Sequence, residues 1–524
     1  MIDIGLILIA VLVLSLAVTS QSLWIDEAFI AWVLAHGGLH SIATSLAISP
    51  LQSPADRQYP LYDIWMFGWT RLFGFSEYAL RSANIPFAAI FIVALSSSSR
   101  LIFGRRFAWL PFAATPFAWF YMNEARPYMM LLAFSTAAIG ALGTAIFGRT
   151  EIRVCASWIF FWALLIAFVS NILAILALPG LILLLIIGAR IGSLEMRSIL
   201  RQGLCFAPLF ALVLIYYIFT FAGAGARVEL LSNTRTAPIS TYSLVTIYEQ
   251  LGLAGIGPPR NIGRLNPTAS AILPYVPLLA PALLAYLIAI ALSLKPKPYK
   301  ATVAFLCSWA LSFVCAFALS SALGVRFLGR HTSAVLPFML LGSIGFFRAR
   351  LSLLLLICIF IVSDLRLLLI SDYGKDDYRA TTNKVVNCLR RTGGTVDWSA
   401  DEKAATYYGL ALQSPAGLIA NSDFPWAARA PGVAVINWAP DAAETLVDRQ
   451  LRSGPVYIVI SKPDIFDVHE AWGRIVHRPA ATLLERYTAF EIFELPPEPK
   501  PSASPSPLRP SHPSTTRARC EAAN

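Results

Sequence analysis

Residues 351–380 read LSLLLLICIFIVSDLRLLLISDYGKDDYRA, and the change of character at Ser371 decides the fold. The twenty residues before it carry two charges, Asp364 and Arg366, whereas five of the ten after it are charged. An apolar run of about 18 residues or more is long enough to cross a bilayer as a helix. A membrane-embedded part therefore ends near residue 370, and a water-soluble part begins. Runs of the same kind recur upstream at 2–19, 79–99, 107–121, 127–147, 154–170, 172–189, 203–222, 271–294, 301–323 and 332–346, which makes about eleven spans with 351–370. Composition agrees: 57% of the 524 residues are hydrophobic and only 14% charged, where soluble chains carry roughly a quarter. Met1–Ser20 lacks a basic leader and a small-residue cleavage site, so it reads as a retained span rather than a signal peptide.

Loop charge orients these spans. The stretch 60–74 is short and carries Asp63 and Arg71. If it does not cross, Arg100, Arg105, Arg106, Arg149, Arg153, Arg190, Arg197, Arg201, Lys295, Lys297, Lys300, Arg348 and Arg350 all fall on one side. That side must be the cytoplasm. The stretch is accordingly read as an amphipathic segment in the outer interface, with the N-terminus inside and the C-terminal region outside.

The outer segments are the long ones, and long loops in compact proteins tend to carry function. The transmembrane domain is read as 1–371, with a first outer loop at 21–78 and a second at 223–270. Residues 372–495 form an extracytoplasmic α/β domain. Its strands are expected near Thr395–Trp398, Val433–Trp438, Pro455–Ser461 and Tyr487–Leu495. Helices are expected at Thr381–Arg391, Ala442–Arg452 and Phe466–Arg478. Residues 496–524, rich in Pro and Ser, read as a disordered tail.

The net charge of +11 is spread through short loops. It lacks the basic stripe of a nucleic-acid binder, so nucleic acid is not expected as a partner. The seven cysteines show no zinc or redox spacing, and five of them fall in predicted spans. No pair of the six histidines has metal-ligand helical spacing.

Three outer motifs can carry chemistry. Trp24-Ile25-Asp26-Glu27 follows the first span directly. Acidic residues in a first helical turn serve the helix dipole, but ionisable groups at a lipid boundary also mark cavities. Adjacent helical residues point about 100° apart, so one carboxylate would face a site while the other braces it or helps hold a metal. Asp56 to Tyr62 brings a further outer carboxylate; its simplest role is a polar turn before Pro60. Asn123-Glu124-Ala125-Arg126-Pro127-Tyr128 lies between two apolar spans. Glu124 and Arg126 could be a surface ion pair of little energy. Yet an outer arginine runs against the inside bias, and a planar donor fork suits phosphate. Arg227, Arg235, Arg260 and Arg264 in the second outer loop, with Arg326, Arg330 and His331, add a basic lining.

Taken in order, these motifs, together with Leu72-Phe73-Gly74 and Glu77-Tyr78-Ala79-Leu80-Arg81, resemble the polyprenyl-phosphate-dependent membrane glycosyltransferases of the GT-C fold. Protein O-mannosyltransferases and lipid A aminoarabinose transferases are branches of that superfamily. The resemblance covers residues 1–150 and fades to hydropathy and a His-Thr-Ser-Ala-Val-Leu-Pro stretch (331–337). It implies a catalytic acid at Asp26, with Glu27 beside it, and an arginine on the carrier phosphate at Arg126. Asp56, Tyr62, Glu124, Tyr128, Arg260, Arg326, Arg330 and His331 are the further substrate-binding candidates. The family often has His-Pro-Pro-Leu-Tyr where this chain has Gln58-Tyr59-Pro60-Leu61-Tyr62, and a His after the fifth span where it has Asn171. Some members use a divalent metal and some do not, which leaves the cofactor open. The expected function is sugar transfer from a polyprenyl-phosphate donor on the outer face of a bacterial plasma (inner) membrane. The acceptor is a glycan, lipid or protein. A secondary transporter or flippase of an envelope precursor is the rival, and a scaffold whose soluble domain binds a partner is a third reading.

Overall fold

The computed structural model describes residues 2–35, 59–191, 196–222, 239–259, 269–294, 299–322, 328–413, 428–462, 466–467 and 469–498. The chain divides into two compact units: Met1–Ser20 with Ile42–Tyr373, and Gln21–Ser41 with Gly374–Asn524.

The first unit is helical and membrane-embedded. Among the described residues, eight helices are long and apolar enough to cross a bilayer: Glu77–Phe103, Tyr128–Phe147, Thr150–Ser170, Ile172–Arg190, Arg197–Phe219, Leu273–Leu294, Lys300–Ala322 and Arg350–Leu369. Two shorter apolar helices, Asp3–Ser15 and Leu336–Phe346, occupy further expected positions. Helices suit this solvent because they satisfy every backbone polar group internally. Tyr128–Phe147 is the most buried of the eight and packs against Ile85–Phe103 and Arg153–Ser170. Met196–Ala222 instead presents Leu204, Leu212 and Phe219 outward, as a lipid-facing helix would.

One expected span differs. Residues 107–121 form two short helices, Leu110–Ala113 and Pro116–Met122. Pro116 lacks an amide hydrogen and pushes Thr115 out of the helical region, and Thr115 is extended at φ −60°, ψ 135°. The segment 60–74 is a single helix, Pro60–Phe73, that buries Tyr62, Met66 and Thr70 at four-residue spacing and exposes Leu72. At 14 residues it is about 21 Å long, too short to cross a bilayer core of about 30 Å.

The second unit holds a six-stranded sheet of order β2-β3-β1-β4-β6-β5. Its strands are β1 Thr395–Ser399, β2 Leu410–Gln413, β3 Ala428–Ala434, β4 Val456–Ser461, β5 Thr482–Tyr487 and β6 Phe490–Leu495. β1 runs parallel to β3 and β4, pairing Val396 with Gly432 and Tyr457, while β4 and β5 run antiparallel to β6. Neighbouring residues of β1 face opposite sides of the sheet. Trp398 packs near Tyr378 of the helix Tyr378–Thr392, and Asp397 meets Gln450 of the helix Pro440–Leu451. Helices therefore cover both faces.

Two local readings are corrected here. The expected strand 487–495 is β6 alone, turning at Ala489 (φ 68°) into β5; this turn carries no glycine or asparagine to announce it. The expected helix 466–478 is shortened to Ala471–Val476, because Asp467 accepts the amides of Ala471, Trp472 and Gly473 and so caps a later start. A larger difference concerns the first outer segment. Its acidic helix, Ile25–Ala35, belongs to the second unit rather than to the transmembrane one.

Candidate functional site

At the head of that acidic helix, Trp24 acts as N-cap, its carbonyl accepting the amides of Glu27 and Ala28 at 3.0 Å. Glu27 stands third in the helix and reaches back, so that its Oε2 accepts the Trp24 amide at 3.3 Å. This is the acidic half of a capping box. The same oxygen lies 2.9 Å from Lys375 Nζ, with the Glu27 side chain fully buried and that of Lys375 9% exposed. The cation Glu27 faces is thus a lysine ammonium. Asp26 remains half-buried. The two acids thus differ in burial, Glu27 fully enclosed against Lys375 and Asp26 half-buried.

The surroundings of Asp26 in this unit are also acidic. Asp401 caps the helix Glu402–Tyr407 through the Ala404 amide at 2.9 Å. Burial, aided by the negative charge of Asp26, holds the Asp401 carboxyl above its ordinary range. Burial and the neighbouring Asp401 push Glu402 up to about 7. Among the described residues no group of three or more His, Cys, Asp or Glu could hold a metal ion.

In the membrane unit, the turn between Pro116–Met122 and Tyr128–Phe147 presents Arg126. The residue is 4% exposed; its guanidinium lies 4.8 Å above the Tyr59 ring and donates to Tyr59 Oη at 3.1 Å. Burying an arginine in a membrane protein is costly unless polar partners receive it, and the turn that carries it is itself held by buried polar contacts. Asn84 is fully buried and donates to the Glu124 carbonyl at 2.6 Å, while the Arg126 amide donates to the same carbonyl at 2.7 Å. Asn123 Oδ1 accepts from the Thr19 amide at 3.0 Å and its hydroxyl at 2.9 Å, and the Thr19 carbonyl accepts from fully buried Arg81 at 3.0 Å. Glu124 and Tyr128 are buried in this turn, the Tyr128 ring edge-on to Tyr121 at 5.3 Å.

Arg330 and His331 sit half-buried on a tight turn, Gly329–Thr332, where His331 Nδ1 accepts the Leu328 amide at 3.3 Å. The helix Ile239–Gln250 packs against both this turn and Pro116–Met122. Its Glu249 approaches so closely that a Cβ on Gly329 would stand 1.6 Å from Glu249 Oε2. Asn171 is fully buried; its Oδ1 caps the next turn through the Leu173 amide at 2.9 Å, and its Nδ2 has no partner among the described residues.

The sequence-based candidates therefore fall into groups. Asp26 and Glu27 head one helix; Glu124, Arg126 and Tyr128 share one turn; Arg330 and His331 share another. Tyr62 is fully buried in the helix Pro60–Phe73, and it is Tyr59, just before Pro60, that meets Arg126. Asp56, Arg260 and Arg326 lie outside the described residues, as do Arg227, Arg235 and Arg264. Sequence reasoning missed Tyr59, Asn84 and Lys375. Only Tyr59 carried a local signal, since proline restricts the residue before it.

No protein-family model and no curated protein matches the sequence. Among solved structures the chain is similar in fold to ArnT from Cupriavidus metallidurans bound to undecaprenyl phosphate, with 14% identity and a TM-score of 0.44 over 94% of this chain and 97% of that one. The apo form of the same protein gives 13% identity and a TM-score of 0.41 over the same shares. This chain is an integral membrane protein of polytopic helical architecture with a C-terminal α/β part.

Proposed function

We propose that the chain is a glycosyltransferase that moves a sugar from a polyprenyl-phosphate donor to an acceptor on the extracytoplasmic face. One observation carries the reading: a nearly fully buried arginine, Arg126, is held by Tyr59 at a turn between two apolar helices. A guanidinium kept there at the cost of desolvation has a natural use in receiving the phosphate of a lipid carrier. The half-buried carboxylate of Asp26, next to Glu27 at the head of the same helix, supplies the complementary group.

In this mechanism Asp26 accepts the proton of the acceptor hydroxyl. The hydroxyl oxygen bonds to the anomeric carbon as the bond from that carbon to the phosphate oxygen breaks. The electron pair leaves with the lipid phosphate, whose growing charge Arg126 stabilises, with Arg330 in support. A single displacement of this kind inverts the anomeric centre. Some members of the resembling superfamily use a divalent metal, and no step here depends on one.

The test is purified protein in nanodiscs with a radiolabelled polyprenyl-phosphate sugar and an envelope extract as acceptor source. Wild type should release free lipid phosphate. Asp26→Asn should lose about 10²–10⁴-fold in rate, and Arg126→Lys about 10²-fold, both at normal expression. Full activity in Asp26→Asn would remove the base assignment, and no lipid phosphate from wild type would remove the function.

A further inference from the structure

The segment that carries Asp26 is held at four points, and apart from Glu27 itself the partner groups come from the C-terminal part of the chain. Ser22 Oγ accepts the Arg379 amide at 3.2 Å. The Leu23 amide donates to Tyr408 Oη at 2.6 Å. The Trp24 amide closes on Glu27 Oε2, and that same oxygen receives Lys375 Nζ at 2.9 Å. Five residues further along the helix, Lys403 Nζ lies 5.1 Å over the Trp32 ring. Of these contacts only the Lys375–Glu27 pair joins two opposite charges, and it is sheltered from water on both sides. A carboxylate that simultaneously closes its own first turn and meets a distant lysine fixes both the start and the rotation of the helix. Asp26 is the residue between these two anchors.

We propose that Lys375 is a positioning residue for the transfer reaction: through Glu27 it sets the orientation of Asp26, so that the C-terminal domain completes the catalytic helix rather than only shaping acceptor access. The catalytic consequence rests on Asp26 being the base; the clamp itself does not. In this proposal Lys375 acts on Asp26 through the turn Trp24–Glu27 rather than on the reacting atoms. Misplacing a catalytic group by about 1 Å can cost about 10²-fold in rate, which is the scale expected when the clamp is released.

The test compares the full chain in nanodiscs as wild type, Lys375→Met, Glu27→Gln, the double variant and Lys375→Arg. Hydrogen–deuterium exchange of the segment 22–35 and steady-state transfer kinetics are read on each. Lys375→Met should speed exchange in that segment and lower kcat about 10²-fold while KM for the lipid donor stays within about twofold. Because the two residues act as a unit, the double variant should be no slower than Glu27→Gln alone, and Lys375→Arg should recover most of both readouts. Unchanged exchange in Lys375→Met overturns the clamp, as does full additivity of the two single losses. Faster exchange with an unchanged kcat overturns its catalytic meaning. If Lys375→Met does not fold, Lys375→Arg and Glu27→Gln carry the comparison. The exchange readout stands whether or not wild type releases lipid phosphate, so failure of the clamp and failure of the transfer reading appear separately.

Discussion

Asp397 shows what burial does to a single carboxyl group in this chain. It lies on β1 with no exposure; its Oδ1 accepts Gln450 Nε2 at 2.9 Å, and Oδ2 has no partner among the described residues. Loss of solvent pushes its pKa up to about 7, against a smaller opposing effect of the Gln450 hydrogen bond. The folded state therefore keeps a proton that the unfolded chain, with an ordinary value of 3.8, has already released. Stability from this group is fully present below about pH 4 and is lost as pH rises toward about 7, at about 1.4 kcal/mol per pH unit. Asp397→Asn keeps the Gln450 contact and cannot ionise. It should flatten the pH dependence of the second unit's melting transition between pH 5 and 7 (about two units wide) and raise the midpoint at pH 8. Measured by differential scanning calorimetry on the full chain, an unchanged slope would refute this assignment of the proton.

At the scale of elements, hydropathy was legible wherever the bilayer dictates helix. The apolar runs at 127–147, 154–170 and 351–370 reappear as Tyr128–Phe147, Arg153–Ser170 and Arg350–Leu369. The short helix after Pro60 was legible from its length and its polar residues. Contacts that join distant segments were not. Nothing local links Tyr59 to Arg126, and nothing in Trp24-Ile25-Asp26-Glu27 announces that Lys375 will meet it. The break before Pro116 was readable in principle, but continuous hydropathy outweighed it. The stretch Gly255-Ile256-Gly257 makes a case that sequence alone could not decide. Gly255 donates to Ser363 Oγ at 2.7 Å, and its carbonyl accepts Arg366 Nε at 2.9 Å. A Cβ there would stand 2.0 Å from the Ser363 carbonyl oxygen, part of a packed helix backbone, whereas one on Gly257 would meet nothing nearer than 3.5 Å. Gly255→Ala should therefore destabilise by about 1–3 kcal/mol, and Gly257→Ala should be close to neutral. Thermal unfolding of the two variants in the same detergent checks the contrast, and equal midpoints would sink it.

For the whole membrane unit, side-chain contacts sort its two ends without reference to hydropathy. Arg106 Nε lies 2.6 Å from Asp3 Oδ1, which brings the start of the first helix to the 100–106 loop. Arg105 donates to the Phe347 carbonyl at 2.7 Å, and the Arg348 guanidinium lies 3.9 Å over the Tyr299 ring. The basic loops around 105, 299 and 348 thus gather with the N-terminus. At other points of the same helices, Thr19 meets Asn123 and Arg81, and Arg126 meets Tyr59. Residues from Asp3 to Thr19 separate the two groups along one apolar segment. Cationic loops are retained in the cytoplasm, so the Asp3–Arg106 end should face inward and the Arg126 end outward, the face of the proposed transfer. Reporter fusions in a bacterial host test this directly. Alkaline phosphatase joined after Asp441 should be active and a green fluorescent protein there dark; the reverse is expected for fusions after Arg149. Phosphatase activity at Arg149 with fluorescence at Asp441 would turn the protein over, and with it the face on which any transfer could occur.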